Sequence, residues 1–142
     1  MQKFCRYTAG LLSVFAVLMA FYLSPVQAKK MNATGSPKVI AAVFHADWCS
    51  ACKKMGPDVM KTMAHYKNNR QVKFVMFNLT DEKTKMTSGK LAQRNGVLSV
   101  WNSHQKTGTV LLVDGKTRKV IGKIDSTDSM SDMKRKIETA QG

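Results

Sequence analysis

Apolar residues recur along the chain in a pattern typical of buried strands. Continuous apolar runs of strand length occupy residues 38–46 (KVIAAVFHA) and 71–79 (QVKFVMFNL), as expected for strands that are covered on both faces. Two further apolar runs flank the dipeptide Asp114-Gly115, which is a strong signal for a hairpin turn. The pattern therefore predicts four strands, of which the last two form a hairpin.

Three other segments show apolar residues three or four positions apart, which is typical of amphipathic helices. The first spans residues 50–66 and contains Pro57, which is expected to kink it. The second spans about 80–95, and the third spans 130–140 after a capping serine, Ser129. Strands that alternate with helices and then close with a hairpin predict an α/β domain, in which a central mixed β-sheet has helices on both faces.

The N-terminal residues have the three parts of a secretory signal peptide. Lys3 and Arg6 precede an apolar stretch over residues 9–23, and small residues lead up to Ala28, where cleavage is expected. The alternative is an uncleaved anchor helix, although the apolar stretch is shorter than the ~20 residues that span a bilayer.

Cleavage after Ala28 would leave 114 of the 142 residues, which is enough for one small domain. Residues 29–37 are small and polar and are expected to form a flexible leader, and residues 38–142 form the domain. The domain is therefore expected in the periplasm or outside the cell, or tethered to a membrane if residues 1–28 are retained.

The chain is strongly basic, with a formal net charge of +14 that falls to +12 once Lys3 and Arg6 leave with the signal. An excess of this size favours anionic protein partners or an anionic membrane surface. Export argues against nucleic acid as a partner. The lysines are scattered without interleaved aromatic residues, so a solvated basic surface is the simpler interpretation.

The cysteines carry the clearest chemical signal. Cys5 lies in the signal segment, and Cys49 and Cys52 stand three positions apart where the first strand meets the first helix. A disulfide between them closes too small a loop to stabilise the fold much, so a chemical role is expected. The helix dipole, together with Lys53 and Lys54, favours a thiolate at Cys49. We therefore expect Cys49 to be an exposed nucleophile and Cys52 to be a shielded resolving thiol.

Two alternatives for the cysteine pair remain at this point. One is a zinc site in which Cys49 and Cys52 are joined by some of His45, His65 and His104, although structural zinc sites normally use two paired motifs. The other is a pair of inert buried thiols. A charged His45 would lower the pKa of the Cys49 thiol, whereas a neutral His45 would only pack.

The segment ADWCSACK, residues 46–53, resembles the active site of the thioredoxin family. It is similar in particular to the periplasmic thioredoxin-like domain of the transmembrane thiol:disulfide interchange reductases, and the resemblance extends over about residues 38–140. It implies a thioredoxin-like fold and disulfide exchange with protein thiols, with no cofactor and with a membrane electron donor if the protein is a reductase. It also implies that Trp48 packs beside the reactive sulfur, that Cys49 attacks and that Cys52 resolves.

Two positions depart from the family pattern. Val43 stands where the family commonly has a buried aspartate that helps to move the proton of the resolving thiol, so water or Lys53 must serve instead. Gly108, followed by Thr109, stands where the family has a cis-proline at the substrate-binding edge. A cis peptide bond before a residue other than proline costs ~2.5–4 kcal/mol, so a trans bond is expected there. The site is therefore expected to be more open.

Residues 98–107 form a longer connection than the family usually has, and we expect a loop at the rim of the site. Trp101 in this loop is expected either to contact a protein substrate or to pack the loop down. In an open site, His104 or His45 would join the reduced cysteines in taking up a soft metal ion.

Taken together, the sequence predicts an exported thiol:disulfide oxidoreductase that exchanges a Cys49–Cys52 disulfide with protein partners. The alternative is a non-catalytic thioredoxin-fold binding module for a protein or a metal. The direction of electron flow does not follow from these residues.

Overall fold

The computed structural model describes residues 35–142, so the expected signal segment and most of the leader lie outside the described residues. Within this range the chain forms four strands and four helices. In chain order they are β1 (Val39–His45), α1 (Ser50–His65), β2 (Val72–Asn78), α2 (Glu82–Arg94), α3 (Leu98–Ser103), β3 (Thr109–Asp114), β4 (Val120–Asp125) and α4 (Met130–Gln141). Among these helices, none is both long and apolar enough to cross a membrane.

The four strands form one mixed sheet in the order β2-β1-β3-β4. β1 and β2 run parallel, because α1 carries the chain back across one face between them. β3 runs antiparallel to β1, and β4 runs antiparallel to β3. The predicted α/β class, mixed sheet and closing hairpin are confirmed.

β1 lies inside the sheet and contributes side chains to both faces. Val43 belongs to the cluster that also contains Met55 of α1 and Met133 of α4. Phe44, one residue later, belongs to the opposite cluster, which contains Trp101 of α3. Successive side chains of a strand point to opposite faces, so the continuous apolar run of β1 covers two separate cores.

The ends of the helices follow their capping residues. At the start of α2, the Asp81 carboxylate accepts a hydrogen bond from the Thr84 N–H at 2.7 Å, and the Thr84 hydroxyl oxygen accepts one from the Asp81 N–H. Ser129 and Asp132 form the same reciprocal pair at the start of α4. Pro57 lies inside α1, as the sequence predicts.

The expected loop over residues 98–107 is wrong in its first part, because residues Leu98–Ser103 form the helix α3. Six residues are too few to show a helical period, and the preceding residue, Val97, makes no side-chain cap, so the sequence carried no start signal. α3 packs Val100 and Trp101 against the sheet.

The hairpin between β3 and β4 begins at Asp114 as predicted, and residues 115–119 connect the two strands. The Asp114 carboxylate accepts from the backbone N–H groups of Lys116 at 3.0 Å and Thr117 at 2.6 Å. Gly115 is required here, since a Cβ at this position would lie 1.6 Å from the Pro37 carbonyl oxygen.

Candidate active site

Cys49 and Cys52 form a disulfide at the N-terminus of α1, with their Cα atoms 5.2 Å apart. Cys49 is the N-cap residue of the helix, and its Sγ accepts a hydrogen bond from the Cys52 N–H at 3.1 Å. The first turn of α1 contains no acidic residue, and Lys53 and Lys54 are exposed there. A helix N-terminus with added positive charge stabilises an anion, so this position favours a thiolate at Cys49.

The two cysteines differ in exposure in the opposite sense to the sequence prediction. Cys49 was expected to be exposed, but only 6% of its surface is accessible, and it belongs to the same buried cluster as Trp101. Cys52 was expected to be shielded, but it is half-buried and lines a pocket. In the disulfide form, therefore, Cys49 is the more enclosed of the two residues.

Trp48 is the most exposed apolar residue next to the disulfide, with 64% of its surface accessible. Its indole N–H donates to the Thr80 carbonyl oxygen at 3.1 Å, and the Asp47 N–H donates to the Thr80 hydroxyl oxygen at 3.0 Å. Thr80 follows β2, and the carboxyl ends of the parallel strands β1 and β2 meet at the same edge of the sheet. The first bond fixes the Trp48 ring to the residue two positions after β2, and the second fixes the backbone just before it.

Gly108 lies directly over the disulfide. Its N–H donates to the Phe44 carbonyl oxygen at 2.9 Å, and its φ angle is +71°. A Cβ at this position would lie 2.7 Å from the Ala51 Cβ and 3.5 Å from the Cys49 Sγ. No cis peptide bond occurs within residues 35–142, which confirms the expected trans bond. Glycine allows the backbone at residue 108 to lie this close to the Cys49 sulfur. That the site is more open than in proteins with the family's proline stays a prediction.

Two of the predicted substrate-binding side chains are buried. Thr109 begins β3 opposite Phe44 and is 6% exposed. Trp101 is 7% exposed and stacks on Phe44, with a ring-centroid distance of 6.1 Å. Its centroid also lies 5.2 Å from that of Phe77. Of the two roles expected for Trp101, the structure therefore favours packing over direct contact with a substrate. Trp101 supports the sheet beneath the disulfide.

The pocket beside Cys52 is lined from β1 by Val43, Phe44 and His45, and also by Asp47, which follows the strand. Val43 is buried at the position expected for an aspartate, and it pairs with Met76 of β2. The Cys52 Sγ lies 4.0 Å from the Phe44 carbonyl oxygen, which is the acceptor that a reduced Cys52 thiol would meet. The half-buried His45 lines the same pocket as Cys52.

The histidines are not assembled into a metal site with the cysteines. Within the described part of the chain, no group of three or more His, Cys, Asp or Glu side chains is placed to hold a metal ion. His104 follows α3 and is exposed. The arrangement of His45 or His104 with both cysteines that the sequence suggested is therefore not formed.

Three residues that sequence reasoning did not single out shape this site. Phe44 presents its carbonyl oxygen to Gly108 and Cys52, Ala51 contacts Gly108, and Thr80 anchors Trp48. Only Thr80 carried a signal, because a polar residue directly after a parallel strand is placed at the functional edge of an α/β sheet. The other two act through backbone or methyl contacts that depend on tertiary packing.

Comparison with known proteins agrees with this geometry. The family model described as Thioredoxin matches residues 19–97, which is more than half of the chain. The chain therefore belongs to the thioredoxin family, and it carries the family's cysteine pair as a disulfide between Cys49 and Cys52.

Two curated relatives match a short part of the chain. The chloroplastic thioredoxin-like protein HCF164 of Oryza sativa subsp. japonica is 43% identical over 49 residues, which are 34% of this chain and 17% of that protein. The HCF164 protein of Arabidopsis thaliana matches with the same identity and coverage. The matched region is thus less than a fifth of the length of these relatives.

Solved structures resemble the fold. A thiol:disulfide interchange protein of the thioredoxin family from Chlorobium tepidum TLS has a TM-score of 0.51 at 22% identity, over 75% of this chain and 82% of that one. The dsbF protein of MTB, solved in mixed oxidized and reduced forms, has a TM-score of 0.50 at 17% identity, over 72% of this chain and 81% of that one.

Proposed function

We propose that the protein is a thiol:disulfide oxidoreductase that exchanges its Cys49–Cys52 disulfide with protein thiols and disulfides. The observation that carries this proposal is the position of Cys49 as the N-cap of α1, where its sulfur accepts the Cys52 N–H at 3.1 Å. A purely structural cysteine has no need of a site that stabilises its thiolate. Membership of the thioredoxin family supports the same chemistry.

The exchange proceeds in two balanced steps. The Cys49 thiolate attacks a partner disulfide, which forms a mixed disulfide and releases one partner thiolate. Cys52 then gives its proton to water or to the released partner thiolate and attacks the Cys49 sulfur, which forms the internal disulfide and releases the second partner thiolate. The same steps in reverse oxidise a partner dithiol, and the relative reduction potentials of the two pairs decide the direction.

The test of this proposal is turnover of a protein disulfide, such as the interchain disulfides of insulin, with dithiothreitol as the electron source. The wild-type protein is expected to accelerate the reduction, and Cys49→Ser is expected to abolish that acceleration. Cys52→Ser should accumulate a mixed disulfide with the substrate, detectable by mass spectrometry. Equal activity of wild type and Cys49→Ser would contradict the proposal.

The charge of the surface around the disulfide supports the proposal that the partners are proteins with acidic segments. Trp48 offers an exposed apolar contact, and the exposed Lys53 and Lys54 supply positive charge beside it. Attraction between exposed charges is screened by salt. Exchange with an acidic protein substrate should therefore slow between 50 mM and 500 mM salt, whereas exchange with a small neutral disulfide should change little.

We further propose that the protein acts outside the cytoplasm after cleavage at Ala28, and that it receives electrons from a membrane donor when it works as a reductase. The support is the signal-peptide pattern of residues 1–28. Intact-mass measurement of the exported protein tests this. A mass that begins at Lys29 is expected, and a mass that includes residues 1–28 would indicate a membrane-tethered domain instead.

A further inference from the structure

A pocket of about 310 Å³ opens beside Cys52, between α1 and the end of the sheet formed by β1 and β2. Cys52, Val59 and Met60 line it from α1. Val43 lines it from β1, and Met76 lines it from β2. These residues are distinct from Trp48 and Gly108, which flank the disulfide elsewhere, so the pocket approaches the cysteine pair by a separate route.

The walls of this pocket are apolar and adaptable. Met55, Met60 and Met76 all line it, and methionine side chains adjust to irregular apolar shapes and make favourable contacts with aromatic rings. The charged residues that line it, Asp47 and Lys53, have opposite signs and are both exposed. The high net charge of the chain therefore does not select an anion here, and the lining fits a neutral group.

Gly56 lines the pocket without a side chain. It lies inside α1, and a Cβ at this position would meet no atom within 4 Å. Glycine in a helix interior is less favourable than alanine by about 1 kcal/mol. Residues other than its two chain neighbours leave room for a Cβ at Gly56. Glycine also relieves the crowding that a Cβ would cause against the following Pro57.

We propose that the pocket is a binding site for a neutral, apolar small molecule with one or two rings. An enclosed cavity of roughly 150 Å³ holds benzene, so this open pocket of about 310 Å³ has room for one or two rings. A molecule bound there would lie against Cys52 and keep water away from its thiol. Apolar surroundings disfavour a thiolate, so occupancy would slow the attack of Cys52 on a mixed disulfide. The slower attack by Cys52 rests on the proposed function, whereas binding of the molecule does not.

The binding test uses 6-propionyl-2-(dimethylamino)naphthalene, a neutral bicyclic probe whose fluorescence emission moves to shorter wavelength in apolar surroundings. It is titrated into the Cys49→Ser, Cys52→Ser double variant, so that no redox reaction contributes. Saturable binding is expected. Gly56→Leu adds a bulky side chain to a residue that lines the pocket, and it should weaken binding at least tenfold. Met86→Leu is the matched control, because Met86 is an exposed methionine of α2 outside the pocket.

Gly56→Ala distinguishes the pocket from the effect of Pro57. If the glycine serves the pocket, Gly56→Ala should leave the melting temperature unchanged or raise it and should weaken binding less than Gly56→Leu does. If Gly56→Ala lowers the melting temperature by several degrees, the glycine serves the helix beside Pro57, and its use as support for the pocket is overturned.

NMR spectra of the protein labelled with ¹³C at the methionine methyl groups locate the probe. The signals of Met55, Met60 and Met76 should shift on titration, and those of Met86 and Met133 should not. Absence of saturable binding, or unchanged binding in Gly56→Leu, would overturn the proposed site. So would the opposite pattern, with shifts at Met86 but none at the pocket methionines.

A redox measurement tests the effect of the bound molecule on Cys52 separately from the binding itself. The decay of a mixed disulfide on Cys49 is followed with and without saturating probe in the protein that retains both cysteines. Slower decay with probe is expected in wild type and not in Gly56→Leu. If the probe binds but the decay rate is unchanged, the proposed effect on Cys52 is wrong, whereas the proposed binding site still stands. If the probe fails to bind but Gly56→Leu slows exchange only with protein substrates, a partner side chain occupies the pocket, and the small-molecule assignment is wrong.

Discussion

The methyl group of Ala51 occupies the space that a side chain at Gly108 would need, since a Cβ at Gly108 would lie 2.7 Å from the Ala51 Cβ. Gly108 also adopts a φ of +71° and donates its N–H to Phe44. The residue that faces the cysteine pair is therefore fitted to the dipeptide between the two cysteines, and the side chain at residue 51 limits what position 108 can carry.

Gly108→Ala is expected to destabilise the protein by about 2–4 kcal/mol, because a positive φ is unfavourable for alanine and the new methyl group meets Ala51. Gly108→Pro should be worse, because proline fixes φ near −65° and removes the N–H that Phe44 accepts. Urea denaturation measures both. Gly35→Ala is the control, since a Cβ there meets no atom within 4 Å. A Gly108→Ala protein as stable as wild type would show that the close approach is not maintained in solution.

Ala51→Gly should partly rescue Gly108→Ala. By itself, Ala51→Gly should cost about 0.5–1 kcal/mol, because glycine is unfavourable inside a helix. In the double variant the contact between the two methyl groups is absent, so the combined loss should be smaller than the sum of the single losses by about 1 kcal/mol or more. Simple additivity would contradict direct contact between the two positions.

Val43→Asp is expected to speed the resolution of mixed disulfides on Cys49. Val43 lines the pocket beside Cys52, and a carboxylate there can accept the proton of the Cys52 thiol. The change should also destabilise the fold by about 2–4 kcal/mol, because it buries a polar group without a partner. Stopped-flow decay of a mixed disulfide measures the rate. Val43→Asn is the matched control, and a rate increase in both variants would exclude proton transfer as the cause.

Tyr66→Phe is expected to stabilise the protein. Tyr66 is 6% exposed, and its hydroxyl is the one buried side-chain oxygen or nitrogen without a hydrogen-bond partner in the described range. A buried unsatisfied hydroxyl costs about 1–3 kcal/mol, so its removal should yield about 1 kcal/mol at pH 7. Urea denaturation of the two proteins measures this difference, and a loss of stability would reveal a partner for the hydroxyl.

The difference in stability between Tyr66→Phe and the wild-type protein should increase in alkaline solution. Burial, with a smaller contribution from Glu138, raises the pKa of Tyr66 above its ordinary value of 10.0. The unfolded state then releases the phenol proton at lower pH than the folded state does, so stability falls as the pH rises above 10. Tyr66→Phe should lack this part of the loss of stability. An equal loss of stability in both proteins between pH 9 and 11 would exclude a contribution from Tyr66.

Stability should also fall in acid. Hydrogen bonds, first from the Thr84 N–H and the Thr117 N–H respectively, lower the pKa values of Asp81 and Asp114 below 3.8. The folded state therefore binds these protons less readily than the unfolded state, and the stabilisation present above pH 3.8 is lost as the pH falls through the lowered values. Asp114→Asn should show a shallower loss of melting temperature between pH 4 and 2, and an identical loss would count against a role for Asp114.

Local pattern predicted most of the elements because it decides them directly. The apolar runs at β1 and β2, the turn signal at Asp114 and the capping serine at Ser129 each act through neighbours in the chain. α3 was missed for the same reason, because its six residues form a helix by packing Trp101 onto Phe44 rather than by any local signal.

The sequence by itself determined the cysteine pair, its place at the start of a helix and the presence of valine at position 43, because spacing and residue type are local properties. Only the tertiary structure decided which cysteine is enclosed and how closely Gly108 approaches it. Those features depend on β3 and α3, which are distant in sequence and are brought to the disulfide by the sheet and its core. The pocket beside Cys52 is decided in the same way, since it exists only where α1 crosses the pair of strands that carry Val43 and Met76.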